Sequence, residues 1–322
     1  MSSMSALSKL PVPPVRWQRA LAVLMVIVQC GIAVSGSVVR VTGSGLGCPT
    51  WPQCAAGSLV PVAHPVLGQL HQWIEFTNRM LGIAVGVVSV LVFLAAVLHR
   101  PLRRRYVALA ATMPLGVVLQ AVVGGITVLT QLTWWTVCIH FLISPMLVWF
   151  SVLLLRAVSE PDGPTRPLIP LALRGLLLAQ AALLVALLIA GTLVTAAGPH
   201  SGDLGTPRLQ LPIPSLAQGH ADLMFVFLGS IAAFGFALRI TGASQRIWRR
   251  FWLLLGLVAA QGALGIVQYT LGVPDVLVIF HVLGAMLVIV ALASLWCATR
   301  ERTPVHTSAE DSHANPLAVP TH

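Results

Sequence analysis

The chain has 322 residues, of which 57% are hydrophobic and only 9% charged. Soluble globular domains carry about 25% charged residues, so this composition excludes an ordinary soluble enzyme, a disordered chain and a small disulfide-stapled domain. The formal net charge of +10 does not indicate nucleic acid, because the basic residues form short clusters between apolar runs, as topology signals do.

Apolar runs of about 20 residues, enough to cross the hydrocarbon core of a bilayer, recur along the chain. They are continuously apolar rather than alternating, so helices and not a barrel are expected. In chain order the spans are predicted over residues 18–39, 72–98, 107–130, 135–156, 174–197, 217–239, 251–272 and 276–298. Sixteen of the nineteen basic residues, from Lys9, Arg16 and Arg19 through the arginine clusters at 100–105, 156–174 and 239–250 to Arg300 and Arg302, fall at one end of these spans. Both termini are therefore expected in the cytoplasm, with the protein in the cell membrane. The first run is read as a span and not a cleaved signal, because it is long and lacks a clear small-residue cleavage site.

The expected organisation is an N-terminal tail (1–17), a four-helix bundle (18–157), a Pro- and charge-rich cytoplasmic linker (158–173), a second four-helix bundle (174–298) and a polar, disordered tail (299–322).

Two long loops, about 40–71 and 198–216, lie on the opposite face. The first holds Cys48 and Cys54, the two of five cysteines outside the apolar runs. An outward-facing loop can keep a disulfide. The spacing is neither a Cys-x-x-Cys redox motif nor part of a zinc pattern. A loop-stabilising disulfide and a redox-active or partner-docking one both fit. Cys30, Cys138 and Cys297 read as packed small hydrophobes. Trp51, Trp73, Trp134 and Trp135, near span ends, suit interfacial anchoring.

The two halves resemble each other. Gln120-Ala-Val-Val-Gly-Gly-Ile in the third span is matched by Gln261-Gly-Ala-Leu-Gly-Ile in the seventh, 141 residues on. His140 and His281, in the fourth and eighth spans, are separated by the same 141 residues. Gly36 and Gly191 open similar stretches in the first and fifth. Each unit holds four spans, so the units are parallel, related by a pseudo-two-fold axis along the membrane normal. The fold expected is thus an all-α polytopic membrane protein whose eight transmembrane helices form two pseudo-symmetric four-helix bundles.

Titratable groups inside a bilayer are costly and invite functional readings. His71, Glu75, Arg79, His140, His220, Asp222 and His281 all fall near the outer ends of their spans. Neutral imidazole is a good axial ligand for heme iron, and bundles build cofactor sites from facing helices. His220 and His281 are therefore expected to be the paired ligands of a b-type heme, with helix–helix hydrogen bonding as the alternative. His71, Glu75, Asn78 and Arg79 share one face of the second span. Glu75 and Arg79 are either a structural ion pair or a carboxylate set against a substrate. Asp222 points elsewhere and is expected to make a helix-end hydrogen bond.

Taken together, Gly36-Ser-Val-Val-Arg-Val-Thr-Gly-Ser-Gly-Leu-Gly-Cys-Pro-Thr-Trp-Pro-Gln-Cys54, Glu75-Phe-Thr-Asn-Arg79, His140, Gly198-Pro-His-Ser-Gly-Asp203, His220 and His281 resemble the heme A synthase family over nearly all of residues 18–298. The resemblance implies oxidation of a methyl group of heme O to a formyl group, giving heme A for cytochrome oxidase. It implies a substrate heme in the first half and a heme b on His220 and His281 in the second. Glu75 maps onto the family's catalytic glutamate, and Cys48 and Cys54 onto its outer-loop cysteines. Heme O, a heme O synthase that supplies it, an unidentified electron donor and membrane lipid are the implied partners, and a homo-oligomer is compatible.

One residue departs from the pattern. Many family members read Glu-x-x-His-Arg where this chain has Asn78. Asn78 precedes His140 by 62 residues, close to the 61 between His220 and His281. A carboxamide is a poor iron ligand. Either His140 alone holds the substrate iron, or His71 ligates in a shifted pose, although it lies about 10 Å away along the helix axis. Arg40 and Arg79, basic residues left on the outer half, are candidates to meet heme propionates. Two other readings are a diheme b-type cytochrome for electron transfer and a transporter with duplicated halves, which predicts a midplane site.

Overall fold

The chain forms α1 (Val15–Val41), α2 (Gln69–Val97), α3 (Arg104–Leu129), α4 (Trp134–Ser159), the short strand β1 (Thr165–Pro167), α5 (Leu171–Ala197), α6 (Ile213–Ile240), α7 (Gln245–Thr270), α8 (Asp275–Ala298) and the short strand β2 (Arg300–Arg302). The structure is a computed structural model that describes residues 11–62, 68–203 and 205–304. All eight helices, 24 to 29 residues long, are long and apolar enough to cross a membrane. Each begins one to six residues before the predicted span. The difference is largest for α7, whose first turns carry Gln245, Arg246, Arg249 and Arg250. These are good helix formers that an apolar pattern does not count. Prolines mark four entries: Pro14, Pro170, Pro212 and Pro274 immediately precede α1, α5, α6 and α8. Proline supplies a fixed φ there and gives up an N–H that the helix does not need.

The repeat is visible in the backbone. α3 and α4 are joined by residues 130–133, and α7 and α8 by residues 271–274. Gln131 and Leu132 in the first turn have φ of 55° and 56°; Gly272 and Val273 in the second have 76° and 61°. The Leu132 N–H donates to the Thr127 carbonyl at 2.9 Å, and the Val273 N–H to the Gln268 carbonyl at 2.8 Å. Both turns therefore end their helix with the six-to-one bond of a Schellman motif. Each partner in one turn lies 141 residues from its counterpart in the other.

α1 to α4 pack in a ring, α1 on α2, α2 on α3, α3 on α4 and α4 on α1. In the second unit α5 packs on α6, and α7 on α8. The units meet through α1 with α8, α4 with α8 and α4 with α5. Exchanging α1 with α5 and α4 with α8 reproduces the same set, as the pseudo-two-fold requires. The second bundle is filled by Phe227, Ile231, Phe234, Leu254 and Met286. In the first, the core of Met25, Ala96, Tyr106, Met113, Leu154 and Ala157 gathers toward the arginine-rich end. The opposite half of that bundle is left for a cavity.

Two expected boundaries move. α4 runs to Ser159, and the linker is tied down. Arg103 pairs with Asp162 at 2.9 Å and Arg105 with Glu160 at 3.5 Å, while Arg103 also donates to the carbonyls of Ala157, Val158 and Glu160. β1 pairs antiparallel with β2, Arg166 opposite Glu301. Residues 299–304, expected at the start of a disordered tail, are thus in ordered contact with the linker, because their backbone finds a partner there. Lys9 and the tail from residue 305 lie outside the described residues.

Candidate functional site

The site begins at the buried ion pair on α2. Glu75 is 4% exposed. Its carboxylate accepts from Arg79 Nη2 at 2.6 Å and Nε at 3.2 Å, and from the Cys48 backbone N–H at 2.6 Å. Arg79 also donates to the carbonyls of Cys48, Thr50 and Gln53, at 2.8, 3.0 and 3.0 Å. One turn of α2 therefore holds the first long loop in place, and a Cys48–Cys54 disulfide crosses that loop. His71 fastens its other side, with Nδ1 3.0 Å from Ser44 Oγ. Gly47 packs so close to the His71 carbonyl that no Cβ would fit. The second long loop joins the first through Gly45 N–H to the Gly202 carbonyl at 2.9 Å.

Beneath this double loop lies a cavity of about 1200 Å³, larger than the roughly 300–1,000 Å³ of ordinary small-molecule pockets. Its walls are mostly apolar. Its polar lining includes Glu75, Asn78, Arg79, Arg40, Gln120 and His140. Trp51, exposed on one side, also forms part of the wall; a Cβ at Gly125 would stand 2.6 Å from its indole. Ile83, Val87, Val90 and Leu91 of α2 line the cavity and are nevertheless well exposed, so the apolar wall opens sideways. Four buried polar atoms on the lining, Gln29 Nε2, Arg40 Nε, Gln120 Oε1 and His140 Nδ1, have no hydrogen-bond partner among the described residues. Arg79, by contrast, is fully engaged by the loop and Glu75.

In the second bundle the His220 and His281 rings are neighbours, with centroids 6.4 Å apart and planes tilted by 59°. Two metal–imidazole bonds of about 2 Å each, plus the reach from nitrogen to ring centre, span roughly that distance. The pair can therefore take one iron between them. His220 Nδ1 lies 3.1 Å from the Leu187 carbonyl, which as acceptor leaves Nε2 unprotonated for a metal. Among the described residues no group of three or more His, Cys, Asp and Glu could hold a bare ion. Two imidazoles suffice for an iron that a porphyrin already holds in four positions.

Each of these rings stands against a glycine of the neighbouring helix. A Cβ at Gly124 would lie 3.0 Å from His140 Cε1, one at Gly191 3.1 Å from His220 Cε1, and one at Gly265 3.3 Å from His281 Cε1. Gly124 and Gly265 are themselves 141 residues apart. In the sequence these glycines mark the repeat, but nothing there shows that they stand against the rings.

The model of the COX15-CtaA family, described as cytochrome oxidase assembly protein, matches residues 19–199. The chain belongs to this family. Among curated relatives, a heme A synthase of Geobacillus kaustophilus is 31% identical over 140 residues, 42% of this chain and 41% of the relative. One from Geobacillus thermodenitrificans is 30% identical over 135 residues, 41% and 40%. These matches span about two fifths of the relatives' length. A heme A synthase of Azorhizobium caulinodans is 29% identical over 327 residues, 85% of this chain and 90% of the relative. With eight apolar helices, this member of the cytochrome oxidase assembly family is a multi-pass membrane protein.

In this family member the structure brings Glu75, Asn78, Arg79 and His140 onto one cavity, and His220 and His281 onto each other. It leaves His71 outside the cavity lining, among the loop contacts. Asp222 accepts from Gln218 Nε2 at 2.7 Å within its own helix.

Proposed function

We propose that the protein oxidises the methyl group of heme O to a formyl group, producing heme A for cytochrome oxidase. The observation that carries this reading is the asymmetry of the duplicated bundles. One half holds a closed pair of imidazoles, and the other a large apolar cavity with one imidazole and a buried carboxylate. A carrier of electrons alone, the diheme cytochrome, calls for an imidazole pair in both halves; the first half offers Asn78 instead.

His140 would hold the iron of the substrate heme. The side opening along Ile83, Val87 and Leu91 suits a long isoprenoid substituent that remains partly in lipid. Arg40 is the guanidinium with donor capacity to spare and is assigned to a propionate, since Arg–carboxylate pairing is strong in a dry site. Glu75 would accept or release a proton at the reacting methyl, or stabilise positive charge there. The loop above it excludes water. In the second half His220 and His281 would hold heme b, which when bound supplies one-electron transfer to or from the first half. The neighbouring rings and their glycines support that fit.

The arginine distribution supports a cell-membrane protein with both termini in the cytoplasm and the disulfide loop outside. Heme O synthase as supplier of substrate and an electron donor not identified by these features complete the reading, which is compatible with a homo-oligomer. The test is to express the chain with a source of heme O and extract membrane pigments. Heme A should accumulate. Its absence, with the protein folded and heme bound, would overturn the proposal.

A further inference from the structure

The two bundles differ most at position 78. Under the repeat, Asn78 on α2 corresponds to His220 on α6. In the second bundle Gly191 of α5 stands directly against the His220 ring. In the first, a Cβ at Gly36 of α1 would have nothing within 4 Å. The space that an imidazole fills in one half is open in the other. Asn78 is turned to its neighbour on α1: the Ser35 hydroxyl lies 2.7 Å from Asn78 Oδ1 and, at the longer distance of 3.0 Å, from the Ile32 carbonyl of its own helix. The carboxamide oxygen is thereby engaged, and the amide N–H₂ has no acceptor among the described residues although Asn78 lines the cavity. His71 does not make good the loss. It lies among the loop contacts, with Nδ1 against Ser44, and forms no part of the cavity wall.

Carboxamides are not among the usual axial ligands of heme, and donors on the open side of a heme govern what small ligands bind there. We propose, resting on the reading above, that this chain grips its substrate heme from one side only, through His140. The opposite face is kept for a small exogenous ligand of the iron, to which the Asn78 amide donates a hydrogen bond. Ser35 is the positioning residue that fixes the carboxamide in that orientation.

The test uses the full-length protein carrying its second-bundle heme, titrated with heme O, with carbon monoxide as the probe of the reduced state. The added heme should be high-spin and bind one carbon monoxide, while the heme on His220 and His281 stays low-spin and binds none. Asn78→His should turn the added heme low-spin and abolish carbon monoxide binding. Asn78→Ala should keep the high-spin spectrum and the binding but raise the C–O stretching frequency, because the donor is gone. His71→Ala should change neither spectrum. A low-spin added heme in the unaltered protein, or an Asn78→His protein that still binds carbon monoxide, overturns one-sided ligation and leaves the synthase reading standing. An unmoved C–O frequency in Asn78→Ala overturns the hydrogen bond. A folded protein that binds heme b but takes up no heme O overturns both this proposal and the reading beneath it.

Discussion

Glu75 and Cys48 meet through one hydrogen bond, the Cys48 backbone N–H donating to Glu75 Oε2 at 2.6 Å. The carboxylate that faces the cavity thus also holds the loop that roofs it. Chemistry and closure depend on the same side chain, and substitutions can separate the two roles.

Glu75→Gln keeps an acceptor for the Cys48 N–H and removes the charge. The loop should stay docked. Heme A formation should fall by about 100-fold or more, as expected when a group acting in proton transfer is lost. Pigment extraction measures the loss, and an unchanged heme b spectrum shows that the fold survives.

Arg79→Leu does the reverse. It leaves a buried carboxylate without its counter-charge and releases the three loop carbonyls of Cys48, Thr50 and Gln53. Removing one partner of a buried pair costs about 3–5 kcal/mol. Thermal unfolding in detergent should register that loss, and limited proteolysis should cut within residues 42–62 much faster than in the unaltered protein. Equal cleavage rates would refute the clamp.

The glycine–imidazole contacts make a graded set. Gly191→Ala and Gly265→Ala place a methyl 3.1 and 3.3 Å from a ring carbon, closer than comfortable van der Waals separation, so the imidazoles must shift. Heme b content, read from the reduced spectrum, should drop in both. Gly36→Ala meets nothing within 4 Å and should leave heme b unchanged, with no loss of stability because Ala is the better helix former.

The disulfide closes a loop with a sequence separation of only 6 residues. Chain-entropy reasoning gives about 2 kcal/mol for so short a loop. A Cys48→Ser, Cys54→Ser double variant should therefore lose about 2 kcal/mol yet remain docked, since Arg79 grips the same segment independently. Thermal unfolding and the same proteolysis assay check this. Rapid cleavage would show that the crosslink, not Arg79, holds the loop.

The spans were legible because apolar runs are bounded by arginine clusters, and bilayer thickness sets their length. The duplication was legible too, since His140, His281, Gln120 and Gln261 share one offset, which the two Schellman turns repeat in backbone form. Helix starts were not, because arginine-bearing turns such as the first of α7 are helical without being apolar. His71 shares a helix face with Glu75, but it sits at the level where the loop packs, and only the folded loop decides between cavity and loop contact. The place of Trp51 in the cavity wall was hidden for the same reason: it depends on a loop whose carbonyls Arg79 holds. The pairing of β1 with β2 joins three-residue segments 135 residues apart, too short to carry any periodic signal.

That small ladder bears on the order in which the protein is made. Thr165–Pro167 leaves the ribosome with the first bundle, but its hydrogen-bonding partner Arg300–Arg302 emerges only after α8. Until then the linker has no strand to lie against. The clasp on the linker is therefore among the latest contacts that synthesis supplies to the described residues, and a chain cut short after Ala298 would carry all eight helices without it.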